Sequence, residues 1–319
     1  MTARIRIGVS GWTYPHWRSV FYPKGLVQRR ELEFASRAFD ALEINGSFYS
    51  LQRPSSYLRW RDATPDGFVF AVKGSRYITH MKKLGGVDQA LANFLASGVL
   101  SLGPKLGPML WQLPPQLAYR EDRMREFFVS LPATAEQAAQ IAARCDGRMK
   151  QRTGEDPVTE AIDGSARIRH AVEVRHDSFA TGAFAQLCRE FGIALVVADT
   201  ARRHTWVDEV TAELVYVRLH GDQELYVSRY SDQGIDWWAG RVSDWAATSG
   251  VSEVHVYFDN DGYAHAPYDA RRLAQRLGVA VPLDAPLPQE VVTAVGTEIA
   301  PGFATRGPFE RLPAEPTTK

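Results

Sequence analysis

Charged and polar side chains recur along this chain at spacings where strands would bury them. His170-Ala-Val-Glu-Val-Arg-His176 alternates as a strand does, with Val172 and Val174 on one face and Glu173 and Arg175 on the other. Leu214-Val-Tyr-Val-Arg-Leu-His220 and Val254-His-Val-Tyr-Phe-Asp259 repeat the pattern. Three earlier segments, ending at Asn45, Lys73 and Gln112, add Glu43, Asn45, Lys73 and Gln112 to the same polar side. Asp199, at the end of Ile193–Asp199, is placed with them. An unpaired charge costs several kcal/mol to bury, so these groups must pair, hold a cation or bind a charged ligand. For the deepest of them, Glu43, Glu173 and Tyr216, a network that simply fills the interior is the competing reading.

Lys73, Arg175 and Arg218 supply converging positive charge, and arginine forks match carboxylate and phosphate. The implied partner is an anionic small molecule, phosphorylated or carboxylated. Glu173 and Asp199 are candidate acid–base groups, and His220 is the best proton-transfer candidate because imidazole titrates near neutrality. Ser10 and Trp12, in the loop Ser10-Gly-Trp-Thr-Tyr-Pro-His-Trp17, offer donors and an aromatic face. With Asn45, Lys73, Arg175, Arg218, Tyr257 and Asp259 they form the expected substrate-binding set. A divalent metal would draw on His220, His255, Glu173, Asp199 and Asp259, although the intervening arginines argue against cations there. No His-Glu-x-x-His, cysteine pair, G-x-G-x-x-G, Walker or G-x-S-x-G pattern occurs, so no other cofactor is indicated.

These residues need a scaffold that brings strand ends together. Strands are expected at Ile5–Val9, Asp40–Asn45, Phe68–Lys73, Pro108–Gln112, His170–Arg175, Ile193–Asp199, Leu214–His220 and Glu253–Asp259. Helices are expected between them, at Arg30–Ala38, Ser55–Ala63, Asp88–Leu100, Arg120–Leu131, Phe184–Phe191, Ile235–Thr248 and Tyr268–Leu277. Eight strands alternating with helices predict an α/β fold, a single (β/α)8 TIM-type barrel spanning 1–282. A doubly wound open sheet would keep its strands apolar on both faces, which these are not. Residues 136–168 break the rhythm and predict an insertion before strand five, with a mobile loop around Gly147–Gly164. Residues 283–319 are rich in Pro, Thr and Ala and predict a flexible tail.

Lys plus Arg equals Asp plus Glu, at 37 each, which argues against a strongly basic nucleic-acid binder. Cys145 and Cys188 lack metal-ligand spacing and fit free thiols in a reducing compartment. No signal peptide or bilayer-length apolar run is present, so a cytoplasmic protein without a membrane partner is expected. Two alternative functions stay open. The basic run Arg76–Lys83 with the aromatics from Trp12 to Trp17 suits a nucleic-acid enzyme or binder. A non-catalytic ligand-binding or scaffold protein would use the same pocket.

The motifs also occur together in a known order: Gly8-Val-Ser-Gly-Trp-Thr-Tyr-Pro-His-Trp17, Phe21-Tyr-Pro23, Leu42-Glu-Ile-Asn45 with Phe48-Tyr49, and Phe70-Ala-Val-Lys73 with Arg76–His80. Arg169–His176, Tyr216-Val-Arg-Leu-His-Gly221 and Tyr257-Phe-Asp-Asn-Asp261 follow. Over residues 5–278 the chain resembles the domain-of-unknown-function 72 (YecE-like) family. That resemblance implies a TIM-type barrel, similar in fold to endonuclease IV and xylose isomerase, and supplies no activity; by that likeness of fold the nucleic-acid alternative includes an endonuclease IV-like phosphodiesterase.

Overall fold

The computed structural model describes residues 3–279. The tail expected at 283–319 lies outside the described residues, as does the 280–282 end of the expected barrel domain.

The strands are β1 (Arg4–Ser10), β2 (Ala41–Ile44), β3 (Val69–Lys73), β4 (Leu106–Gln112), β5 (His170–Glu173), β6 (Ala194–Leu195), β7 (Val197–Asp199), β8 (Leu214–Leu219) and β9 (Glu253–Phe258). All pair in parallel, in the order β6-β5-β4-β3-β2-β1-β9-β8-β7. The two strands at the ends of that order are consecutive in the chain, separated by Val196 alone. One segment thus pairs with β5 through its first half and with β8 through its second. That shared segment closes the sheet into the expected eight-fold barrel.

Helices wrap the outside: α1 (Glu31–Ala38), α2 (Gly46–Tyr49), α3 (Pro54–Ala63), α4 (Asp88–Ala96), α5 (Glu121–Ser130), α6 (Ala135–Ala142), α7 (Gly147–Thr153), α8 (Gly182–Phe191), α9 (Asp232–Ala247) and α10 (His265–Leu277). The main core lies between them and the outward strand faces, where Leu42, Val72, Trp111, Val172, Val217 and Val256 are buried. Trp238 and Trp245 of α9 belong to that core. Helix α4 is shorter than its apolar pattern suggests. The chain must turn at Gly98, where φ is +112° and a Cβ would stand 2.6 Å from the Pro54 Cα. The mobile loop expected around Gly147–Gly164 is instead docked. Helix α7 forms there, Asn93 donates to the Asp146 carboxylate at 3.0 Å, and Ser55 Oγ donates to Glu155 at 2.6 Å. The Val158 amide adds a bond to the Ala96 carbonyl at 2.9 Å. The sequence hid this because those contacts run to α3 and α4, remote in the chain.

The lumen carries its own cluster, small on one side and large on the other. Ala41, Ala71, Ala171 and Ala198 face Tyr216 and Tyr257 from β8 and β9. Gly8 stands opposite Tyr257 in the ladder, and a Cβ there would lie 1.9 Å from the Ala41 carbonyl oxygen. Backbone sits against backbone at this point, so no side chain can swing away to make room. Gly8→Ala is expected to cost about 3 kcal/mol, the upper end for overpacking, measured as a lowered urea midpoint. An unchanged midpoint would show that the barrel relaxes at β1 without cost.

Candidate active site

Parallel strands lift successive inward side chains toward the C-terminal end of the barrel in steps of two residues. In β8 the series is Leu214, Tyr216, Arg218, then His220; in β9 it is Glu253, His255, Tyr257, then Asp259. The apolar and tyrosine layer therefore gives way to a charged layer.

Arg218 is fully buried at the centre of that layer. Its guanidinium donates to both oxygens of Glu43 at 2.8 and 3.1 Å. It also donates to Glu173 at 2.7 Å, to Asp259 at 2.8 Å and to His220 Nε2 at 2.9 Å. Ser10 Oγ and the Tyr216 hydroxyl donate to Glu43 at 2.9 and 2.6 Å. Gln112 and Arg175 Nε both donate to Glu173, at 2.8 and 3.0 Å. The interior network weighed for Glu43, Glu173 and Tyr216 is thus present.

These bonds fix protonation. Burial alone would raise the Glu173 carboxyl, but Arg218 and Arg175 overcome it and hold the group well below the usual carboxylate range. Burial, reinforced by Arg218, pushes His220 well below the usual imidazole range. With Nε2 accepting from Arg218, its Nδ1–H donates to the Asp199 carbonyl at 3.0 Å. Asp259 behaves differently. Burial, opposed by Arg218 and aided by Glu43, pushes its carboxyl up to about 7.

Above this layer opens a cavity of about 770 Å³, lined by Asn45, Lys73, Gln112, Arg175 and Asp259 from the strand ends. Tyr14, Phe48, Tyr49, Arg76, His80, Met81, Tyr226 and Asp261 form its walls from the loops and short helical turns that follow the strands. A π-helical turn, Tyr77–Met81, presents His80, whose pKa burial lowers. Lys73 ends β3 and is only 8% exposed. Its Nζ lies 4.6 Å from the Phe48 ring centre. Among the described residues the ammonium makes no hydrogen bond or ion pair. Burial, with repulsion from Arg218, lowers its pKa to about 8. The buried Asn45 Oδ1 also lacks a hydrogen-bond partner among the described residues.

The expected site residues therefore separate. Asn45, Lys73, Arg175 and Asp259 meet in the cavity. Ser10, Glu173, Arg218 and His220 lie in the buried layer beneath it, and Tyr257 lies one step deeper. Asp199 is not among them. It shares the parity of Leu195 and Val197 on the helix-facing side, whereas Ala194, Val196 and Ala198 face the lumen. Its carboxylate accepts from Tyr230 at 3.0 Å. That strand is apolar on both faces, so alternation gave no sign of which face is inward. Trp12 is also outside the site, packed edge-on against Trp60 with ring centres 5.4 Å apart.

The expected metal-ligand set is dispersed too. His255 sits below Tyr257, bonded to Glu253 at 2.8 Å, and Arg218 occupies the space between Glu173 and Asp259. Among the described residues no group of three or more His, Cys, Asp and Glu side chains is placed to hold a metal ion. Sequence reasoning offered Tyr14 and His80 only as parts of candidate ligand loops and did not single out Tyr226 or Asp261 as lining residues. All but Tyr226 lie inside the motifs singled out above. A larger hollow of about 1070 Å³ lies at the opposite end, around His170, Ile193 and Leu214 at the strand starts. In barrels of this type that end serves stability rather than chemistry.

The protein family described as "Protein of unknown function DUF72" matches residues 6–291. The chain belongs to the DUF72 family. UPF0759 protein YecE of Escherichia coli K12 is 33% identical over 129 residues, which is 40% of this chain and 44% of that protein. UPF0759 protein YunF of Bacillus subtilis is 32% identical over 117 residues, 35% of this chain and 40% of that protein. The chain thus matches less than half the length of either relative. A DUF72 family protein of Thermotoga maritima shares the fold with a TM-score of 0.69 at 21% identity, over 86% of this chain and 99% of that one. One from Enterococcus faecalis does so at 0.63 and 17%, over 86% and 96%. The DUF72 description assigns no activity, so the site is read from its own chemistry. Among the described residues, no helix is long and apolar enough to cross a membrane.

The central network makes a direct prediction. Arg218→Met leaves Glu43 and Glu173 buried without their main counter-charge, so unfolding free energy should fall by about 3–5 kcal/mol. Chemical denaturation measures it, and a loss below about 1 kcal/mol would contradict the ion-pair assignment.

Proposed function

We propose that this DUF72 protein is an enzyme that binds an anionic small molecule, phosphorylated or carboxylated, in the cavity at the barrel mouth and performs acid–base chemistry on it. One observation carries the reading. The Lys73 ammonium faces that cavity without a carboxylate partner among the described residues, while Glu43, Glu173 and Asp259 are all bonded to Arg218. A buried ammonium in that position favours an incoming anion. Arg175 faces the same space. Its Nε is held by Glu173 and its Nη2 lies 3.4 Å from the Tyr226 hydroxyl, which leaves Nη1 for a ligand.

The proton carrier in this reading is Asp259, because a carboxyl titrating near neutrality can both give and take a proton. Glu173 and His220 position rather than react: the first holds Arg175, and the second accepts from Arg218 in a fixed tautomer. The free thiols Cys145 and Cys188 fit action in the reducing cytoplasm. A second reading has its own support. Tyr49 (67% exposed) and Tyr226 (37% exposed) stand at the mouth near Arg76, a surface on which nucleic-acid bases could stack.

A thermal-shift titration separates the two. Inorganic phosphate or sugar phosphates should raise the melting temperature of the wild type, with affinity falling at least about tenfold in both Lys73→Met and Arg175→Gln. Shifts of equal size in the variants would move the anion elsewhere. A shift with oligonucleotides alone, fading as salt rises, would favour the second reading.

A further inference from the structure

We propose that Lys73 is a covalent site, whose amine condenses with the carbonyl group of an anionic aldehyde, ketone or 2-oxo acid to form an imine. The proposal rests on the anion-binding reading above and adds the reacting group and the bond that forms.

The geometry suits a nucleophile more than a simple counter-ion. Lys73 ends a central barrel strand, and its carbonyl accepts from the buried Ser47 hydroxyl at 2.7 Å, so the base of the side chain is fixed. The side chain is buried, and its amine faces the cavity beside the Phe48 ring. Lysines are almost never this buried unless paired. Here the nearby carboxylates are turned to Arg218, whose like charge further disfavours the ammonium. A pKa of about 8 leaves a usable fraction of free amine at neutral pH.

Two cavity groups fit the remaining needs. Asp259 carries a carboxyl pushed up to about 7, so part of the population holds a proton to donate. Asn45 Oδ1 is an acceptor without a donor among the described residues, available to a hydroxyl formed during the reaction. Arg175 and Arg76 are then the groups that hold the anionic end.

In the step itself, the amine lone pair forms the C–N bond and the carbonyl π pair moves to oxygen. A proton from Asp259 turns that oxygen into the hydroxyl of a carbinolamine. The nitrogen loses a proton to the Asp259 carboxylate. Asp259 returns that proton to the hydroxyl, which leaves as water as the C=N bond forms, and the second nitrogen hydrogen then passes to the Asp259 carboxylate to give the imine and restore the acid. Overall one water leaves, carrying the carbonyl oxygen and the two amine hydrogens, and nothing is oxidised or reduced.

The test treats the full chain with limiting formaldehyde and cyanoborohydride at neutral pH, followed by peptide mass mapping. Formaldehyde is small enough to enter without a fitted pocket. Lys73 should be methylated at least about tenfold faster than the exposed Lys24, Lys83 and Lys150, because burial and Arg218 enlarge its own free-amine fraction. Pyruvate or dihydroxyacetone phosphate under the same reductant should then leave one saturable adduct on Lys73, with none from acetone at equal concentration. Formaldehyde labelling of Lys73 no faster than the exposed lysines overturns the proposal. So does the absence of an adduct from both anionic carbonyls. A wild type that shows the phosphate thermal shift but no Lys73 adduct loses the covalent step and keeps the anion site. Labelling at Lys73 that persists in Arg175→Gln, without any phosphate shift in the wild type, removes the anion reading and leaves the reactive amine.

Discussion

A single guanidinium, Arg218, holds the interior of this barrel together. It is fully buried and meets Glu43, Glu173, Asp259 and His220 from four different strand ends, so its bonds tie β2, β5, β8 and the end of β9 into one layer. A planar, permanently charged fork is the side chain that can do this, since a lysine presents one point charge and can shed its proton. The arrangement sets the state of its neighbours. Glu173 stays ionised and can hold Arg175, and His220 stays neutral in one tautomer. Buried ion networks are not efficient sources of stability, since desolvation offsets much of their attraction. The more consequential effect here is that a charged floor of fixed geometry lies directly beneath the cavity.

That floor divides structural charge from reactive charge. Glu43, Glu173 and Asp259 face Arg218, Arg175 and Lys73. The two arginines are paired with acids, and Arg218 takes the largest share. Lys73 and Asp259 are left at the cavity surface with pKa values displaced toward neutrality from opposite directions, to about 8 and about 7. Titratable groups pushed together in this way mark sites of proton transfer, because neither form is strongly preferred at working pH. The same placement makes an anion welcome, because protonation of Asp259 leaves the layer with excess positive charge.

The architecture was legible because strand alternation writes two different records on two faces. Where one face was polar, as in Glu43–Asn45, Glu173–Arg175 and Tyr216–His220, alternation placed the inward residues correctly. Where both faces were apolar, as in Ala194–Asp199, it could not, and Asp199 was assigned to the lumen although it bonds Tyr230 outside. Depth along a strand was harder to read than direction. Arg218 and Lys73 both look like anion ligands in sequence, yet one lies in the buried layer and the other faces the cavity, because partners from distant strands decide which charge is consumed. The loop contributions were least legible. Tyr226 sits in a stretch without periodicity, with φ at +66°, and reaches the cavity only through the turn that follows β8. The docked helix α7 was hidden for a similar reason, its anchors lying on α3 and α4.

The central claim is that Arg218 consumes the interior acids and leaves Lys73 as a buried ammonium without a partner among the described residues. It is tested most directly by following the Lys73 side chain in an NMR titration of protein isotopically labelled at lysine, with Lys73→Met to assign the signal. The account predicts that Lys73 titrates near pH 8, well below the ordinary lysine value of 10.5. Titration near the ordinary value of 10.5 would mean that Lys73 is solvated or paired, and would contradict the account.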